Sequence, residues 1–173
     1  MATTKTPSSA TQGSDGRLRL GSAIMALAGL GFVGYAAIFF VRTFTDSFLE
    51  LGIGPDQVSV DKTQIEDVSP ELVHYISHLH LALSGFIAAV GIAVAALAWC
   101  GVRRGQLWAW ITAVVVPVFA LAVSLPAHYP WGFDTFGHLG LVYVDTLLFV
   151  IGAGLAFAPL LNTRRTRTAN PSR

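Results

Sequence analysis

The sequence predicts an all-α, four-helix transmembrane bundle with both termini cytoplasmic and one long acidic outer loop. Three observations lead there. Apolar residues make up 53% of the 173 positions and charged residues only 12%, about half the charged share of a soluble domain. Mean hydropathy is +0.60. The apolar residues gather into four stretches, each long enough to cross about 30 Å of hydrocarbon at about 1.5 Å per residue. Too few polar side chains remain to cover a water-soluble globule.

The same arithmetic excludes some functions. The net charge is +1, and no basic stripe lies away from the chain ends, so nucleic acid is not a partner. The one cysteine, Cys100, excludes an intramolecular disulfide and any CxxC thiol–disulfide exchange. Beside Gly101 at a helix end it reads as a small packing residue.

Residues 1–18 are expected to be a disordered cytoplasmic tail, because MATTKTPSSATQGSDG is rich in Thr, Ser and Gly and has no apolar periodicity. No small-residue cleavage pattern follows the first apolar stretch, so that stretch is expected to stay as a helix. The transmembrane domain then spans 19–162, with helices at about 20–44, 70–101, 106–127 and 136–161. The second helix has a strong start: Ser69 as N-cap, Pro70 at the first position and Glu71 in the first turn. Pro117 lies inside the third and predicts a kink. A basic cytoplasmic tail, 163–173, ends the chain.

Lys and Arg placement orients the bundle. Lys5, Arg17, Arg19, Arg103, Arg104, Arg164, Arg165, Arg167 and Arg173 fall on one side, nine of the eleven basic residues, against Arg42 and Lys62 on the other. The positive-inside rule puts the larger set, with both termini and the 101–106 turn, in the cytoplasm. The outer loop, 45–69, carries Asp46, Glu50, Asp56, Asp61, Glu66 and Asp67. It reads as a solvated loop, after a helical extension over TDSFLEL; the competing reading is a cation-attracting or partner-binding lid. Small residues four apart, Gly85–Ala89–Ala93, Gly152–Ala156 and Gly154–Ala158, make stripes that let helices approach closely, within the bundle or in a homodimer or complex with other membrane proteins.

The stretch RRGQLWAW, at the turn from the second helix into the third, resembles a pattern of small bacterial four-span membrane proteins. The composition, rich in Ala and Arg and poor in Lys, resembles that of an actinobacterial source. The resemblance implies a plasma-membrane location and carries no activity with it.

All five histidines fall at the outer side. His74 and His78 are four apart and share a face of the second helix; His80 lies about 120° around from His74, on the face of Ser77 and Ser84. His128 closes the third helix one turn after Ser124, and His138 opens the fourth. Neutral imidazoles at one depth suit a transition metal, with His78, His80, His128 and His138 as the ligand set. His80 with His138 would suit a bis-histidine haem. The bland alternative is histidine tolerated at helix ends in the headgroup zone. Asp145 is the one acid predicted inside the hydrocarbon, where a carboxylate is costly unless paired. It lies seven residues beyond His138 on the same face. Ser84, Ser124 and Tyr35 are its candidate partners in a polar cavity between the second, third and fourth helices. Asp134 can bond His138 or cap the fourth helix.

Three function classes follow: a non-catalytic accessory or partner-binding bundle among membrane lipids; a redox, metal- or haem-binding protein using the outer histidines; and a lipid- or quinone-modifying enzyme with Asp145 and His138 as acid–base pair.

Overall fold

The computed structural model describes residues 9–45 and 49–169, with side chains at 13, 15–45 and 49–162. The described elements are α1 (Ser9–Arg42), α2 (Pro55–Val58), α3 (Lys62–Val68), α4 (Pro70–Ala96), α5 (Leu107–His128) and α6 (Phe136–Ala169). A π-helical turn, Leu97–Gly101, and a 3₁₀ turn, Val102–Arg104, extend α4. No strand occurs among the described residues. Among the described residues four helices are long and apolar enough to cross a membrane: Asp15–Arg42, Pro70–Arg104, Leu107–His128 and Phe136–Asn162. The chain is thus built as a multi-pass membrane protein.

Helix ends depart from the sequence reading where apolarity and helix propensity part company. α1 starts at Ser9, inside the stretch read as a tail. No proline interrupts Ser9–Arg19, and Pro7 lies just before it, so the helix continues past the last apolar residue. α6 continues to Ala169 for the same reason.

From residue 55 on, the outer loop carries two short helices. Residues 46–48, in the middle of TDSFLEL, lie outside the described residues, and Thr45 and Leu49 beside them are not helical. Beyond them come α2 and α3. The Gln57 Oε1 accepts from the Gly54 N–H at 2.9 Å. Asp61 and Gln64 form a reciprocal cap, each side chain accepting from the other's backbone N–H at 2.8 and 2.9 Å. The Lys62–Glu66 pair, four apart and 3.9 Å between charges, adds little because it is exposed. Ser69 caps α4 as expected, its hydroxyl accepting from the Leu72 N–H at 3.3 Å.

α1 is the centre of the bundle, packed along both α4 and α6. Two glycine crossings explain how. A Cβ on Gly29 would come within 2.7 Å of the Gly91 carbonyl, and one on Gly21 within 2.6 Å of the Gly152 carbonyl. Only glycine permits backbones this close, which is what holds helices together in lipid. Gly152 and Ala156 are therefore a packing stripe as expected. Gly85, Ala89 and Ala93 are exposed, as are Gly154 and Ala158. The inward face of α4 instead runs through Val73, Ser84, Gly91 and Val94, about 100° around from Gly85.

The end of the bundle at the 101–106 turn is the tighter one. Met25, Val94, Ala98, Val102, Ala109, Ala113, Phe149 and Leu160 share one buried cluster there. Gly105 ends α4 in the left-handed region, φ 74°. A Cβ on Gly101 would overlap that of Ala109, so α5 is seated against the π-helical turn. The Trp110 indole N–H donates to the Ala153 carbonyl at 3.1 Å, tying α5 to α6. Further along, an apolar cavity of about 350 Å³ opens between α1, α4, α5 and α6.

Candidate metal centre

The opposite end of the bundle is closed by residues 49–53 lying on the first turn of α6. Three hydrogen bonds hold them there. Arg42, the last residue of α1, donates from Nε to the Leu49 carbonyl at 3.1 Å and from Nη2 to the Glu50 carbonyl at 3.4 Å. The Thr135 hydroxyl donates to the Gly52 carbonyl at 3.2 Å. Ile53 is buried. Gly52 adopts φ 76°, and a Cβ there would overlap the Gly137 carbonyl carbon and the His138 nitrogen. Only glycine supplies both the left-handed backbone and the close approach.

This docking puts two groups on one imidazole. The His138 ring Nδ1 is 2.9 Å from the Leu51 carbonyl, and its Nε2 is 3.1 Å from the Glu50 Oε2. His138 is 2% exposed. The His128 ring stacks on it, 5.0 Å between centroids and 27° between planes. The His128 Nδ1 is 2.9 Å from the Ser124 carbonyl. Glu50, His128 and His138 each offer a ligand atom, all within 4.8 Å of one another.

The hydrogen positions follow from the partners. A carbonyl only accepts, so both Nδ1 atoms carry hydrogen and donate. Each Nε2 is then left with its lone pair in the neutral ring. In His138 that lone pair points at a carboxylate oxygen, an arrangement that repels unless a positive centre, a proton or a metal ion, sits between them. Backbone carbonyls holding Nδ1–H are the usual way a protein orients imidazoles to coordinate through Nε2.

The predicted ligand set is therefore brought together in part. His128 and His138 converge. His80 lies on the wall of an adjoining cavity of about 280 Å³ that Glu50 and His128 also line, its ring tilted on Phe39 at 4.9 Å. His78 is exposed, because it falls on the outward side of α4, away from the Val73–Ser84–Gly91 face. Glu50 was not among the expected ligands. It is one of six loop acids in the sequence, and only the docking of the loop separates it: among the described ones it alone is not exposed.

The other site residues are placed differently from expectation. Asp134 is exposed; the hydroxyl that caps α6 is that of Thr135, accepting from the His138 N–H at 3.2 Å. His80 and His138 are not brought together as a haem pair: His80 lies on the wall of the cavity with Glu50 and His128, and His138 does not line it. Asp145 lines a different cavity, with Gly31, Tyr35, Ile38 and Leu148. Its carboxyl lies against Gly31, and its Oδ2 is buried with no hydrogen-bond partner. Of the expected partners only Tyr35 lines that cavity. The Ser84 hydroxyl donates to its own helix, to the Leu81 carbonyl at 2.8 Å, and Ser124 is exposed. The expected cavity between α4, α5 and α6 with Asp145 at its floor is thus replaced by one between α1 and α6. The reason is that α1, not α5, is the central helix, so the inward face of α6 meets α1.

Fold and site together define a four-span helical membrane protein with a His₂Glu cluster at one end of the bundle. Comparison with protein-family models, with curated proteins and with solved structures finds no match to this chain.

Proposed function

We propose that this is a plasma-membrane protein that binds one divalent transition-metal ion on its outer side through Glu50, His128 and His138. The observation that carries the reading is the 3.1 Å approach of the His138 Nε2 to the Glu50 carboxylate, with His138 Nδ1 already donating to Leu51. Two imidazoles and one carboxylate are a donor set for zinc or iron(II). The outer placement is supported by the nine-to-two distribution of basic residues. The accessory-bundle reading has no comparable observation behind it. The acid–base reading is weakened because Asp145 lines a cavity that His138 does not.

The test is direct. Protein purified in detergent and stripped with a chelator is dialysed against zinc, iron(II) or cobalt(II), and bound metal is counted. One ion per chain is expected. Glu50→Gln, which keeps the shape of the loop, should weaken binding by about 10- to 100-fold or more, as should His128→Ala. A stripped protein that takes up no metal while keeping its helical spectrum leaves a Glu50–His138 ion pair as the content of the site and refutes the proposal.

A further inference from the structure

We infer that the metal centre keeps one exchangeable coordination position, turned toward the adjoining cavity, and that this position takes a small ligand with an anionic oxygen donor on an aromatic body, of the aryl carboxylate or aryl hydroxamate class. This rests on the metal reading above and adds to it what the ion would bind.

Two lines of geometry and one of charge carry it. Among the described residues only three ligand atoms converge, one fewer than a tetrahedral ion requires; three protein donors plus an open position is the pattern of exchangeable rather than structural sites. The direction of the opening is set by which ligands are covered. His138 is sealed beneath residues 50–52 and does not line the cavity, whereas Glu50 and His128 do. The remaining position therefore faces the cavity and not the helix core. The charge is the third line. A divalent ion with one carboxylate and two neutral imidazoles keeps a net charge of about +1, which favours an anionic donor.

The cavity walls give the rest of the ligand. Trp131, Phe133, Ile53 and Val58 supply aromatic and apolar surface, and His80 stands on the same wall as a polar group for a second oxygen. A volume of about 280 Å³ lies at the small end of ligand pockets, which suits a single ring. Aromatic rings stacking or meeting edge-on add about 0.5–1.5 kcal/mol beyond area burial, or roughly 2- to 12-fold in affinity.

The experiment uses the full chain in detergent, loaded with cobalt(II), whose visible spectrum reports its coordination. Benzohydroxamate and acetohydroxamate are titrated in turn. Both should change the cobalt spectrum with cobalt retained by the protein, and benzohydroxamate should bind about tenfold tighter. Trp131→Ala should remove most of that preference while leaving cobalt affinity within about twofold, since Trp131 is not a metal ligand. A cobalt-loaded protein whose spectrum neither probe changes, or from which the probes merely strip the ion, overturns the inference and leaves the metal reading standing. Equal affinity for the two probes overturns the aromatic part. A protein that binds no cobalt overturns the metal reading and this inference together.

Discussion

Gly52 is the residue on which the site most depends, although it carries no functional group. Its left-handed backbone and its contact with Gly137 and His138 let residues 50–51 reach the imidazole. Gly52→Ala should cost about 1–2 kcal/mol from the backbone alone, with the steric overlap added to that. We expect metal affinity to fall at least about tenfold while the helical spectrum stays unchanged, read by metal titration and circular dichroism. Thr135→Val, which removes the hydroxyl to the Gly52 carbonyl, should have the same sign and a smaller size. The site should also respond to pH in one direction. Metal and protons compete for the Nε2 lone pairs and the Glu50 carboxylate, so affinity should fall as pH is lowered and binding should release protons. Affinity independent of pH, measured by calorimetry in two buffers, would exclude these three ligands.

At the scale of the helices, packing in lipid depends on backbone approach more than on apolar burial. Gly91→Leu must open the α1–α4 crossing, where a Cβ would already stand 2.5 Å from the Gly29 carbonyl. Overpacking of this kind costs about 1–3 kcal/mol, which should appear as a lower melting temperature in detergent. Gly85→Leu, at a position with nothing within 4 Å of an added Cβ, should leave melting unchanged. The two glycines look alike in sequence, each followed by a small residue four positions on. What separates them is a rotation of the helix. The inward face of α4 follows the Val73–Ser84–Gly91–Val94 spacing, and that spacing also explains why His80 reaches the cavity wall while His74 and His78 stay exposed.

For the whole molecule, the distribution of basic residues makes a topology prediction. In a Cys100→Ser background, a cysteine at Asp61 should react with an impermeant thiol reagent in intact cells, and one at Arg104 should react only after the membrane is opened. The reverse pattern would put the histidine cluster in the cytoplasm. Metal should stabilise the folded chain by mass action, by about 2.7 kcal/mol at a hundredfold excess over the dissociation constant. Melting temperature should therefore rise on adding zinc and fall again with chelator, in the parent protein and not in Glu50→Gln.

Four spans, their order, the Ser69–Pro70 start of α4 and the placement of all histidines at one end could be read from the sequence alone. These depend on local quantities: the length of an apolar run, a capping residue, a count of charges. The partners of the histidines could not be read in this way. Glu50 is one acid among six in a loop, and nothing in its neighbours marks it. Its meeting with His138 requires α1 to sit between α4 and α6, Arg42 to hold the Leu49 and Glu50 carbonyls, and Gly52 to lie on α6, across a separation of 88 positions. For the same reason Asp145 meets Gly31 on α1 instead of the serines of α4 and α5. Periodicity says which face of a helix turns inward; which neighbour that face meets depends on how close two backbones can come, and only the folded chain decides that.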